Sequence, residues 1–190
     1  MTLPADSALT PSARVVELWK PVLIRAAVAL VFGVVTAFWS SPSVEVLAWA
    51  TGLYLLATAA AVFVWRALPV FVPVVIALGG VGALVTQSDA GAGLSALVAL
   101  VVLGASELTR GVQKKDSLSR DWLISGVISV GTAIALPFFI PLGAHALLGV
   151  AGGGAIITGV LWILSGLTLR HDARAATGAS APGASPEAVN

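Results

Sequence analysis

Cysteine is missing from this 190-residue chain, and charge is scarce. The first absence rules out disulfides, thiolate metal sites, thiol nucleophiles and lipoprotein anchors. The second can be quantified: charged residues make up 10% of the chain, against roughly 25% in soluble domains. The net charge is only +1, its asymmetry lying across a membrane rather than along the chain, so nucleic acid is not an expected partner. No Ser, His, Asp or Glu constellation gathers on one face, so the sequence names no catalytic residue and reads as a non-enzyme. It likewise names no cofactor and no metal.

What the chain does have is apolar sequence. Hydrophobic residues account for 58%, and six apolar stretches fall near residues 21–39, 44–65, 68–86, 92–109, 122–140 and 144–169. Each is near the ~20 residues that a bilayer-crossing helix needs. Nine basic residues lie in alternate gaps. Arg14 and Lys20 precede the first stretch and Arg66 follows the second. Arg110, Lys114, Lys115 and Arg120 follow the fourth, and Arg170 and Arg174 follow the sixth. The remaining gaps carry no basic residue, only Glu45 and Asp89. Cationic loops resist translocation, so the alternation predicts both termini in the cytoplasm. The expected fold is an all-α integral membrane protein whose six transmembrane helices form three tandem helical hairpins. The expected location is a bacterial inner membrane, with the lipid bilayer as partner and a homo-oligomer left open.

Three regions follow. Residues 1–20 form a cytoplasmic lead whose amphipathic piece, 13–20, suits the membrane interface. Residues 21–170 form the transmembrane domain, its first span read as a retained signal-anchor because the bulky Phe38 and Trp39 follow it. Residues 171–190 form a cytoplasmic tail expected to be disordered, because from 175 onward the sequence is too small and polar to bury a core.

Internal repetition appears in the even-numbered stretches. Thr58-Ala59-Ala60, Arg110-Gly111-Val112 and Thr158-Gly159-Val160 recur at spacings of 52 and 48 residues. The odd stretches repeat more loosely, with Trp19 and Trp122 at their starts and Pro42 and Pro141 after their ends. Trp19, Arg25, Gly33 and Pro42, followed by Gly52-Leu53-Tyr54, together with Trp122, Ser125-Gly126, Pro141 and Thr158-Gly159-Val160, carry a resemblance. Over about residues 19–170 the chain resembles the HdeD-type family of small bacterial membrane proteins built from tandem short hairpins. The resemblance implies a role in acid or envelope stress tolerance.

Two ionisable groups fall inside spans, Arg25 and Glu107, at similar expected depth near the cytoplasmic side. Charges in hydrocarbon cost roughly 2.5–3.5 kcal/mol on insertion scales, so they face protein, water or each other. They read either as an ion- or proton-handling pair, the basis of an alternative reading as a small transporter or channel, or separately. In the separate reading Arg25 snorkels to the surface and Glu107 pairs locally with Arg110. His145, at the outer start of the sixth stretch, reads as a periplasmic pH sensor or as an ordinary interfacial histidine. His171 belongs with the cytoplasmic basic residues.

Glycines give the packing signal. Gly79, Gly80 and Gly82 in the third stretch, Gly149-x-x-x-Gly153 with Gly152 and Gly154 in the sixth, and Ala29-x-x-x-Gly33 in the first leave flat faces where backbones can approach. Trp19, Trp39, Trp65 and Trp122, at span ends, read as interfacial anchors.

Overall fold

A computed structural model describes residues 19–113 and 117–179, except for the side chains of 176–179. Among the described residues it is all-helical: α1 (Trp19–Phe38), α2 (Val44–Trp65), α3 (Phe71–Thr86), α4 (Asp89–Val112), α5 (Ser119–Phe139) and α6 (Ala144–Ala179). A single 3-10 turn, Ile140–Leu142, links the last two. Five of the helices are long and apolar enough to cross a membrane, and α3, with 16 residues, is a shorter apolar helix.

The helix boundaries have local causes. The Ser43 hydroxyl accepts the Val46 N–H and caps α2, and the Ser88 hydroxyl accepts the Gly91 N–H at 3.0 Å and caps α4. Each serine satisfies an N–H that would otherwise have no partner. Ser88 therefore starts α4 at Asp89, three residues earlier than the apolar run indicates. Before it, Gln87 closes α3 in a left-handed conformation with φ 39°. Pro69 delays α3 to Phe71, so Leu68 lies in the connection although it is buried. The tail is corrected too. The helix runs on through Ala179, so residues 171–179 are helical rather than unstructured. Alanines at 173, 175, 176 and 179 favour helix there, and the first proline comes only at 182. The rest of the expected tail, the amphipathic piece up to residue 18, and Lys114 and Lys115 lie outside the described residues.

The helices form a closed ring. Each packs on its neighbours in chain order, and α6 returns to α1. The inner faces of α2, α4 and α6 also meet one another. The heaviest contacts are α4 with α5, α1 with α6, and α2 with α3. Each of these three is centred on facing glycines. A Cβ on Gly33 would stand 2.9 Å from the Gly152 carbonyl oxygen. One on Gly80 would stand 2.9 Å from the Gly52 carbonyl, and one on Gly126 would stand 2.8 Å from that of Gly104. Real side-chain atoms do not come that close to a carbonyl, so only glycine permits these crossings.

Burial repeats about those glycines. On the odd helices the residue eight before the glycine is buried in each case (Arg25, Val72 and, just before the start of α5, Leu118), as is the residue four before it (Ala29, Ile76, Trp122). On the even helices the residue three after it is buried each time (Leu55, Glu107, Ala155). The 52- and 48-residue spacings of the even stretches are those that separate Gly52, Gly104 and Gly152.

One packing expectation needs correction. Gly33, Gly79 and Gly82 lie in helix contacts, with Gly79 against the Ser95 carbonyl and Gly82 against the Ser95 hydroxyl. Gly149 and Gly153 do not: a Cβ on either would meet nothing within 4 Å. The face of α6 that packs on α1 carries Gly152, Gly159 and Gly166, with spacing seven. A four-residue glycine pair sits one position off that seam, because the neighbour is met at every second turn.

Candidate functional site

Arg25 lies in the second turn of α1, on the face that turns inward with Val22, Ala26 and Ala29. Glu107 lies a turn before the end of α4, between the buried Leu103 and Gly111. The ring closure that sets α1 against α6 brings the two together. Arg25 Nη2 donates to Glu107 Oε1 in a buried ion pair. Glu107 is 0% exposed and Arg25 5%. The separate readings of these residues are therefore corrected: the arginine does not reach for the surface, and the glutamate is not held by Arg110. Arg110 turns the other way, donating to the Ala67 carbonyl beyond the end of α2. The reason is position on the helix. Glu107 faces the axis, while Arg110 sits at the rim of the α2–α3 connection.

Aromatic rings cage the pair. Trp65, Trp122 and Trp162 pack against one another, with centroids 4.8 to 5.4 Å apart. The Arg25 guanidinium carbon lies 4.9 Å from the Trp162 ring and 5.7 Å from the Trp122 ring. Arg110 lies 5.3 Å from Trp122. The negative faces of the indoles stabilise cations that water no longer solvates. Trp162 is held in place by its own N–H, which donates to Ser125 Oγ at 3.1 Å. Trp122 is thus not an interfacial anchor. It is fully buried, because a residue four before the crossing glycine faces inward on every odd helix. Trp65 is half-buried in the same cluster, whereas Trp39 and Trp49 are exposed.

On its other side, the second Glu107 oxygen lies 3.5 Å from the Ser129 hydroxyl. Ser129 also lines a cavity of about 10 Å³ with Tyr54, Thr132 and Thr158. That is roughly the room one water needs, and four hydroxyls would satisfy it. Nearby, Ser165 donates to Asp121 at 2.8 Å, tying α6 to the first turn of α5.

Trp162 and Ser129 are site residues that sequence reading missed, and Ser125 entered it only through the resemblance. The signal was there for Trp162: an indole well inside a span is not explained by the headgroup preference that accounts for one at a span end. His145 stands exposed on the second residue of α6, at the opposite end of the bundle from the pair. His171 makes a surface contact of 3.6 Å with Asp172. Among the described residues no three His, Asp or Glu side chains gather to hold a metal ion. No family model matches this chain, and neither does any curated protein or solved structure.

Proposed function

We propose that this chain is a six-span protein of a bacterial inner membrane, built as three tandem hairpins with both termini in the cytoplasm. In this reading it is a non-enzymatic protein of the HdeD type that helps the envelope withstand acid stress. Burial repeating at fixed offsets from three glycine crossings supports the hairpin repeat. The 16-residue α3 is about 24 Å long, so its span would need some local thinning of a ~30 Å core. Both charged ends of the basic alternation, at Lys20 and at Arg170, flank the same face of the bundle.

The observation that carries the functional reading is the caged ion pair. Arg25 and Glu107 neutralise each other with Trp122 and Trp162 against the arginine, and the adjoining cavity is the size of one water. That arrangement suits a fixed interlock that keeps the ring closed better than it suits a conducting path. A deletion strain should survive acid challenge less well than its parent. Wild-type protein should restore survival, and Glu107→Gln should restore it less. Equal survival of the deletion strain and its parent would overturn the role.

A transporter is the second reading, favoured by the hydroxyl-lined cavity beside Glu107. It requires flux in reconstituted vesicles that Glu107→Gln abolishes. Topology has its own test: phosphatase fused after Ser88 should be active and a cytoplasmic fluorescent reporter at Asn190 should glow. Active phosphatase at Lys115 would overturn the orientation.

A further inference from the structure

We infer that the hydroxyl-lined cavity between α5 and α6 is a binding site for one ordered water, which bridges Ser129 to Thr158 and so ties Glu107 to α6. The inference goes beyond both functional readings and rests on how α5 packs against α6.

That seam differs from those on either side of it. α5 meets α6 less closely than it meets α4, and α6 meets α5 less closely than it meets α1. The close glycine crossings lie on those other two seams. α5 and α6 are joined instead by a ladder of polar pairs: Asp121 with Ser165, Ser125 with Trp162, Ser129 with Thr158, and Thr132 with Gly154. Along α5 the positions rise by four, four and three, and along α6 they fall by three, four and four. Those steps keep each set on one helix face, in the register of two antiparallel helices. The first two rungs are direct hydrogen bonds of 2.8 and 3.1 Å. At the fourth, the Thr132 hydroxyl packs on Gly154, where a Cβ would collide with it. The third rung borders the cavity of about 10 Å³.

The direction of each hydroxyl proton selects the occupant. The Ser129 O–H donates towards Glu107 Oε2. The Thr158 O–H goes to the carbonyls of Gly154 and Ala155, at 3.0 and 3.1 Å. A hydroxyl has one proton and two acceptor lone pairs, so neither residue has a proton left for the other, and both have lone pairs to offer. The two protons of a water match those two acceptors. Tyr54 and Thr132 border the same space, and each carries a rotatable O–H that can donate to the water oxygen. A buried water typically makes about three such bonds. A cation would also suit the lone pairs. However, the Glu107 carboxylate is already neutralised by Arg25, so an ion would bring an uncompensated charge into a low dielectric. The water therefore continues a chain of hydrogen bonds that starts at Glu107 on α4, passes Ser129 on α5 and reaches α6 and α2. Chains of this kind strengthen one another where the dielectric is low.

The test is water-edited solid-state NMR on the full chain in liposomes, which reads how soon polarisation passes from water to each side chain. Ser129 and Thr158 should polarise early although both lie deep in the bundle, and Ile76, which is fully buried on α3, should lag. Thr158→Val keeps the side-chain shape and removes the acceptor, so early transfer to Ser129 should be lost. Thr158→Ser keeps the acceptor and should keep the transfer. Wild-type transfer to Ser129 and Thr158 as slow as that to Ile76 would show a dry cavity and overturn the site, even if Thr158→Val does not fold. Early transfer to Ser129 that survives in Thr158→Val would overturn the bridge. Ser129 and Thr158 resonances that move when lithium replaces sodium would overturn water in favour of a cation.

Discussion

At the end of the bundle where α1 and α5 begin, Arg25, Glu107, Trp122, Trp162, Ser125 and Ser129 are buried among aliphatic residues such as Val22, Val62, Val72 and Leu118, with the half-buried Trp65 against them. At the other end the core includes Leu47, Ala48, Ala96, Leu100, Leu147 and Leu148. The six-helix ring is the same at both ends, but what holds it differs. In lipid, apolar side chains gain little by leaving the solvent, so the alanine–leucine end is held by close approach and dispersion. The other end is held by a few directional interactions that are strong only while complete. One end tolerates many small changes, and the other fails at particular atoms.

The largest expected effect tests that contrast at its strongest point. Removing one partner of a buried ion pair leaves the other charge uncompensated, at a cost of about 3–5 kcal/mol. Arg25→Gln and Glu107→Gln should each lower the melting temperature sharply in detergent. The double variant should recover part of the loss, because it leaves no lone charge. The coupling comes from the cycle of single and double variants. Strictly additive losses would mean that the pair is not the interlock.

Next come the crossings, which run along the whole bundle. Gly126→Leu would drive a branched side chain into the Gly104 carbonyl, 2.8 Å from the position of a Cβ. Overpacking of this kind costs about 1–3 kcal/mol. If Gly126→Leu melts at the wild-type temperature, α4 and α5 are not joined at that glycine.

These two predictions differ in how far the sequence could have led to them. Helix number and approximate bounds follow from apolar runs of spanning length, a signal spread over twenty residues at a time. Arg25 and Glu107 also stand out, because a charge within such a run is conspicuous wherever it points. Their partnership does not, since it depends on α1 closing against α6, a contact between the two ends of the chain. Seam glycines are hidden for a related reason. Gly149 and Gly153 make a better local pattern than Gly152 and Gly159, yet only the latter face a neighbour. For Trp122 the place at a span end points to the interface, but the informative coordinate is its helical face, four residues before Gly126.

A smaller effect is expected from the cage. Trp162→Phe removes the N–H that donates to Ser125 and weakens the ring beneath Arg25. A desolvated cation over an indole contributes about 0.5–2 kcal/mol, and phenylalanine retains part of it. Trp162→Phe should therefore lower stability by less than loss of either charge. Trp39→Phe, at an exposed position, should have little effect. Equal melting temperatures for the two variants would show that the indoles fill space without holding the arginine.

The smallest expected effect lies one residue from a seam. Gly152 faces Thr36 on α1, so Gly152→Leu has no room and should destabilise the contact. Gly153, its neighbour, is turned about 100° around the helix, and a Cβ there would meet nothing within 4 Å. Substitutions that touch no neighbour usually stay within about 0.5 kcal/mol, so Gly153→Leu should melt with the wild-type protein. The same holds for Gly149→Leu. The paired measurement at 152 and 153 asks whether the monomer's own seam accounts for the glycines of α6. A marked loss at Gly153, with Gly152 also sensitive, would mean that a second copy covers the outer face of α6. The six-helix ring would then be one unit of an oligomer whose contacts use the glycines left open in the single chain.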